Sequence, residues 1–278
     1  MRVNQNDRQL KLADRARTRV LRMARDGGCF IGAAMSCVDI LAVLYGGALR
    51  VSPASPDDPG RDLFFLSKGH AVPALYGVLA EAGWFDPVRL DGHLKPSDLV
   101  YWHPNRALPG VEFHSGSLGH GLPLALGAAM DIRLRGGGNR AVVLTGDGEW
   151  DEGSNWEALL VASARKLHEL VVIIDRNGFQ ANMRTEDLVP LEPLRDKLRA
   201  FGAAVRRGDG HSLAWLSRAM RAVPFVPGRP SVIIADTVRG RGLPSLEARA
   251  DTWFLKIDEA EYAILMEELK RTAKGGLA

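Results

Sequence analysis

Cysteine is nearly missing from this sequence: Cys29 and Cys37 are the two found in 278 residues. A disulfide framework is therefore excluded as the organising device, and a reducing cytoplasm is the natural setting. Long apolar runs are missing too. No stretch of about 18 consecutive apolar residues occurs, which argues against a membrane-spanning helix. The opening "MRVNQNDRQLKLADRARTRV" lacks the apolar core of a signal peptide. Nor does either charge sign form a block. The 36 basic and 33 acidic side chains are interspersed, so a pI near 9.0 comes without the basic stripe that nucleic acid requires. Internal repeats and low-complexity segments are also lacking. What remains is 46% hydrophobic and 25% charged, the composition of an ordinary globular chain. We read residues 1–278 as one domain.

The apolar periodicity is organised. Leu10, Ala13, Ala16, Val20 and Ala24 recur at helical spacing until Gly27 and Gly28. "SCVDILAVLY" predicts a second helix with Ser36 as N-cap and Asp39 three residues on. "SPASPDDPG" is a loop. Beyond it, short apolar runs ("DLFFL", "RAVVLT", "ELVVIID", "AAVRRG", "PSVIIADT") alternate with helical stretches, and a closing helix spans about 257–274. This alternation predicts an α/β fold: a doubly wound, mostly parallel sheet with helices on both faces. A loop of about thirty residues, from Trp84 to about Gly116, is long enough to serve a function.

Ligands of such sheets sit beyond the carboxyl ends of the strands. Those ends read "SKGH" (67–70), "GDG" (146–148), "DRNGF" (175–179), "GDGH" (208–211) and "TVRGRG" (237–242). They are the glycine-rich polar clusters of the chain, so one site on one face is expected. Asp147 and Asn177 lie about thirty residues apart, the size of one strand–helix–strand unit, and can stand side by side. Both offer oxygen, and a carbonyl just after Gly178 would be a third ligand. Oxygen ligands suit Mg2+ or Ca2+, and Mg2+ commonly completes its shell with phosphate oxygens. A helix beginning near Gly153 adds a positive dipole end. Neither a P-loop nor G-x-G-x-x-G is present, which disfavours an ordinary nucleotide site. The unit reads as a Mg2+–diphosphate clamp.

Other readings remain open at this level. His70, His103, His114 and His120 could form a zinc site, but their spacing matches no zinc pattern. A subunit that has lost turnover and a plain nucleotide-binding module are further alternatives. His211 reads as a turn-fixing residue. Trp150, Trp156, Trp215 and Trp253 read as side chains buried against helices.

"GDG" followed about thirty residues on by Asn177, after an apolar strand, resembles the thiamine diphosphate motif. More specifically, "SCVDILAVLY", "FLSKGHAVPALYGVLAEAG", "PGVEFHSGSLGHGLPLALGAAM", "TGDGEWDEGSNWEAL", "DRNGFQ", "TEDLVPLEPLRDKLRAFG" and "PSVIIADTVRGRG" are similar, in order, to the N-terminal half of the transketolases. The resemblance implies that Asp147, Asn177 and the backbone oxygen of Phe179 hold Mg2+. It places Gly148 and His70 at thiamine diphosphate, with Gly116, Ser117 and Leu118 along its thiazolium and pyrimidine side. His103 would meet the substrate's hydroxyl oxygens, and Glu152 would lie at a subunit interface near the cofactor. The chemistry so implied is transfer of a two-carbon ketol unit from a ketose-type donor to an aldehyde. The cofactor serves as electron sink, and His70, His103 and Glu152 form the catalytic set. A decarboxylating or acyloin-forming carboligation of a 2-oxo acid is the alternative.

Three further expectations follow from the resemblance. The family's second domain does not fit in this length, so a separate C-terminal-type subunit is expected, two copies of each. Asp147→Ala is expected to abolish cofactor binding with little loss of fold, as an exposed ligand would. Finally, "CFIG" and "DTWFLK" place Phe30 and Phe254 where transketolases typically carry histidines, which implies a substrate less polar than the pentose-phosphate sugars.

Overall fold

A computed structural model describes residues 4–275. Its strands are β1 (Leu63–Leu66), β2 (Ala141–Gly146), β3 (Leu170–Arg176), the two-residue β4 (Phe179–Gln180) and β5 (Met183–Arg184), then β6 (Ala204–Asp209) and β7 (Ser231–Asp236). The helices are α1 (Gln5–Asp26), α2 (Ile31–Val43), α3 (Val72–Glu81), α4 (Gly121–Leu134) and α5 (Gly153–Ala164). Then come α6 (Thr185–Leu188), α7 (Leu194–Ala200), α8 (Leu213–Arg221) and α9 (Glu259–Gly275). The main sheet has the order β1-β2-β3-β7-β6, and every pair in it is parallel. The short β4 and β5 pair antiparallel beside it.

Alternation along the strands builds two cores. Val142, Leu144, Val171, Ile173, Ile233 and Ala235 face α1, α2, α3, α8 and α9, while Ala141, Val143, Val172, Ile174, Val232 and Ile234 face α4, α5 and α7. Both faces of the sheet are covered, which is why its strands read as continuous apolar runs.

Two local expectations are corrected. Leu10 is 42% exposed, and Leu12 takes its place on the buried stripe of α1 with Ala13, Ala16, Val20 and Ala24. More consequentially, α2 starts at Ile31, so Ser36 is mid-helix and caps nothing. All thirteen residues of α2 are buried. Such a helix is positioned by packing on every side, not by its cap signals. The segment Ile31–Ala48 has a mean hydropathy of 1.7 over 18 residues, long and apolar enough for a membrane span by composition, yet 89% of it is buried within the protein. It is the central core helix. Gly27 and Gly28 end α1 as expected; Gly28 adopts φ 86°, and a Cβ there would meet the Phe254 ring at 2.7 Å.

Candidate active site

The five glycine-rich clusters all fall at the carboxyl ends of the sheet strands. Gly146 and Asp175 are register partners across β2 and β3, so Asp147 and Asn177 stand just beyond adjacent strand ends. The backbone ties them together: the Asp147 N–H donates to the Asp175 carbonyl at 3.2 Å. Gly178, at φ 81°, turns its N–H onto Asp147 Oδ2 at 2.7 Å. Arg176 Nη1 at 2.6 Å and Thr185 Oγ1 at 3.2 Å donate to the same oxygen. Three donors thus fix Oδ2. Oδ1 accepts from the Gly148 N–H at 3.0 Å. The carboxylate is 1% exposed, and burial raises its pKa against the pull of Arg176. Asn177 is half-buried; its Oδ1 accepts from the Phe179 N–H at 3.0 Å and its amide nitrogen donates to Asp175 Oδ2 at 3.2 Å.

Asp147, Gly148, Asn177 and Phe179 line a cavity of about 210 Å³, together with Lys68, His70, Leu118, Glu149, Gln180, Arg239 and Trp253. Its charged groups are of two kinds. Some are satisfied. Lys68 is buried against Asp175, which also accepts from Ser36 Oγ at 2.6 Å and from Thr237 Oγ1. Burial opposes the ionised Asp175, yet Lys68 and these hydroxyls hold its pKa below the usual carboxylate range. Glu149 is buried likewise, with Oε1 accepting from Ser67 Oγ and the Gly119 N–H and Oε2 from the Gly146 N–H. Arg239 is the other kind. It is 2% exposed, Nη1 donates to the Ala181 carbonyl, and Nε and Nη2 have no hydrogen-bond partner. Its guanidinium lies 5.2 Å from the Phe179 ring centroid and 5.9 Å from that of Trp253. Burial lowers its pKa. A buried cation with two idle donors calls for an anion. Gly32 makes room for it, since a Cβ there would come within 2.7 Å of Arg239 Nε.

His70 sits in the cavity wall, half-buried, with its pKa pushed down to about 3 by burial and by the charge of Lys68. Its ring is neutral at physiological pH. It begins a run of aromatic contacts: Trp253 at 4.8 Å, Phe30 at 5.7 Å, Phe30 to Trp253 at 4.8 Å and Phe30 to Phe254 at 5.3 Å. Phe254 then meets Trp102 at 5.8 Å, and Trp102 stacks with Tyr101 at 5.9 Å. The wall leads from the cavity to exposed rings at 37%, 41% and 55% for Phe254, Trp102 and Tyr101. His103 packs beside Gly69 and Gly116, whose Cβ positions would lie 3.2 and 3.3 Å from its ring, and burial lowers its pKa.

The cavity therefore gathers His70, Leu118, Asp147, Gly148, Asn177 and Phe179. His103 and Gly116 adjoin it through Gly69. Ser117 and Glu152 are exposed, and Glu152 precedes α5 without capping it. His114 and His120 are exposed as well, and His120 Nδ1 lies 2.9 Å from the Leu118 carbonyl. Among the described residues no three His, Cys, Asp or Glu side chains gather as a metal cage.

Three expectations need correction. Asp147 is a buried, heavily bonded residue and not an exposed ligand. Trp253 lines the cavity, whereas Trp150 is buried and Trp156 and Trp215 pack against the cores as expected. His211 does more than fix a turn: Nδ1 lies 2.8 Å from Asp39 Oδ2, and Nε2 accepts from the Val238 N–H at 2.8 Å. Lys68, Gln180 and Arg239 also line the site, beyond the residues that the sequence singles out. A signal for two of them exists in "SKGH" and "TVRGRG": a basic residue beside glycine at a strand end.

The donor set fits a diphosphate accompanied by a divalent cation: carboxylate and amide oxygens, and a guanidinium with two nitrogens unpartnered, line the same cavity. Comparison with known proteins agrees with the diphosphate part of this reading. Residues 16–270 match the family model described as "Transketolase, thiamine diphosphate binding domain". The 6-deoxy-6-sulfo-D-fructose transketolase subunit of Clostridium sp. (strain MSTE9) is 35% identical over 242 residues, 87% of this chain and 88% of that protein. An apulose-4-phosphate transketolase subunit from Actinobacillus succinogenes is 38% identical over 255 residues, 90% of this chain and 91% of that protein. The fold is similar to that of transketolase from Campylobacter jejuni, with a TM-score of 0.86 at 24% identity, covering 99% of this chain and 43% of that one. The chain thus spans less than half the length of that transketolase. It belongs to the transketolase family, as a thiamine diphosphate-binding domain of the N-terminal type.

Proposed function

We propose that this chain is the diphosphate-binding subunit of a two-chain transketolase, working in the cytoplasm and active with a separate C-terminal-type subunit. The reaction is transfer of a two-carbon ketol unit from a ketose-type donor to an aldehyde. The observation that carries this reading is the pairing of Asp147 and Asn177 at adjacent strand ends, with a buried cation lining the same cavity, Arg239, that has two nitrogens unpartnered. Relatives of similar length are named as transketolase subunits, which supports a partner subunit and favours ketol transfer over decarboxylating carboligation. The assembly we propose holds two copies of each chain.

Asp147 Oδ1, Asn177 Oδ1 and the Phe179 carbonyl would hold Mg2+ or Ca2+, and the metal with Arg239 would neutralise the diphosphate. Thiamine diphosphate, when bound, supplies the electron sink for carbon–carbon cleavage. The protein's own part is to bind, orient and handle protons. The buried Lys68–Asp175 pair holds Asn177 in place through Asp175 Oδ2. His70, neutral, offers ring nitrogens for hydrogen bonding without adding charge, and His103 stands at the rim where substrate oxygens would arrive. Gly116, Ser117 and Leu118 would border the rings of the cofactor, and Glu152 would face the neighbouring subunit.

Calorimetry tests the clamp: the full chain should bind thiamine diphosphate only when Mg2+ or Ca2+ is present. Ketol transfer should appear only after assembly with the second subunit. Robust transfer by this chain alone would refute the two-chain reading.

A further inference from the structure

The loop from Thr237 to Gly242 carries Arg239 into the cavity, and it is held from below by a buried polar group whose members do not line that cavity. Asp39, in the middle of α2 and 1% exposed, is the centre of that group. Its Oδ2 accepts from Arg17 Nη2 at 2.6 Å and lies 2.8 Å from His211 Nδ1. Burial alone would raise the Asp39 pKa, but Arg17 and His211 bring it down to about 2, so the carboxylate is ionised. Both partners then reach the loop. His211 Nε2 accepts the Val238 N–H at 2.8 Å, and Arg17 Nε donates to the Arg241 carbonyl at 3.3 Å. Between these points the Gly240 N–H donates to the Gly32 carbonyl at 3.0 Å.

The hydrogen bonds fix the histidine's tautomer. Because Nε2 accepts from Val238, the ring proton resides on Nδ1 and is donated to Asp39. A ring bonded in this way has one acceptor and one donor in fixed directions, and both are used. The residue next to Val238 is Arg239, whose Cβ direction follows the backbone that His211 restrains. Its guanidinium has little latitude: Gly32 lies beneath it and the Phe179 and Trp253 rings flank it.

We infer that His211, oriented by Asp39 and Arg17, is a positioning residue for the cofactor: it sets the Arg239 guanidinium at the height where the diphosphate binds. The inference rests on the proposed function in taking Arg239 as the diphosphate's counter-charge. It adds that affinity at the cavity is set by a histidine at the neighbouring strand end, acting through backbone.

The test is a double-mutant cycle on the full chain, read by calorimetry with Mg2+ and inorganic pyrophosphate as probe. His211→Asn keeps an amide donor near Asp39 but is too short to accept from Val238. It should weaken pyrophosphate binding about tenfold. His211→Gln, which reaches Val238, should restore most of that affinity. In the Arg239→Ala background, His211→Asn should change the already weakened binding less than about twofold, since nothing remains to be positioned. Thermal melts of each variant establish that the fold persists. Equal losses from His211→Asn in both backgrounds, or no loss in either, would overturn the inference while leaving the clamp intact. Failure of the unaltered chain to bind Mg2+–pyrophosphate would instead overturn the proposed function, and this inference with it.

Discussion

Arg176 Nη1 donates to Asp147 Oδ2 at 2.6 Å, so the carboxylate proposed to hold the metal already has one oxygen committed to a cation. Oδ1 is left with a single backbone partner. This division lets the same side chain lock two strand ends together and still offer a ligand. It also changes what a substitution does. Asp147→Ala removes one of the carboxylate partners of Arg176 and the acceptor of the Gly178 N–H and Thr185 Oγ1 at once, and should cost about 1–3 kcal/mol of stability. Asp147→Asn, close in shape, should cost less and still abolish Mg2+-dependent thiamine diphosphate binding. Paired thermal melts and calorimetry check this; an Asn variant that binds the cofactor normally would remove Asp147 from the metal site.

Arg239 has the opposite balance. Its guanidinium is buried with two donors idle, which is unfavourable in the absence of ligand. Arg239→Met should leave the ligand-free protein as stable as before, or more so, while weakening thiamine diphosphate binding by about tenfold to a hundredfold. A variant that melts lower and binds unchanged would show that Arg239 serves the fold alone.

The aromatic wall bears on substrate choice. Phe30 and Phe254 touch each other, and Phe30 reaches His70 and Trp253 at the cavity. The two phenylalanine rings bring apolar area and no hydrogen-bond donor, so a carbonyl substrate with few hydroxyls should fit better than a pentose phosphate. In the assembled enzyme, Phe30→His and Phe254→His should raise kcat/KM for xylulose 5-phosphate with ribose 5-phosphate. They should lower it for apolar aldehydes. Equal turnover of sugar phosphates before and after substitution would make the two phenylalanines incidental.

His70 predicts a pH dependence of stability. Its folded pKa is depressed from an ordinary 6.5 to about 3, so the unfolded ring takes up a proton that the folded ring refuses. Stability is therefore fully present above about pH 6.5 and is lost as pH falls toward 3. The melting temperature should decline between about pH 6.5 and 4.5, and more steeply than in His70→Asn. Parallel slopes for the two proteins would show that the ring is not held neutral.

Much of the architecture is legible in the sequence because parallel strands buried on both faces must be apolar throughout, and their polar ends stand out by contrast. The doubly wound sheet, the five strand-end clusters and the adjacency of Asp147 and Asn177 all follow from that contrast and from the length of one crossover. Local signals fail where burial is complete. Ser36 has the chemistry of a cap, yet α2 is enclosed on every side, and packing carries its start back to Ile31. The two-residue β4 and β5 and the four-residue α6 are too short to show a period. Only the tertiary structure decides the partners of charges far apart in the chain: Lys68 with Asp175, Arg17 with Asp39, and Asp39 with His211. Only it reveals that two nitrogens of Arg239 have no hydrogen-bond partner. A residue type states which bonds are possible. Whether they are made depends on which strand end or helix lies within about 3 Å, and that distance is set by the packing of the whole sheet.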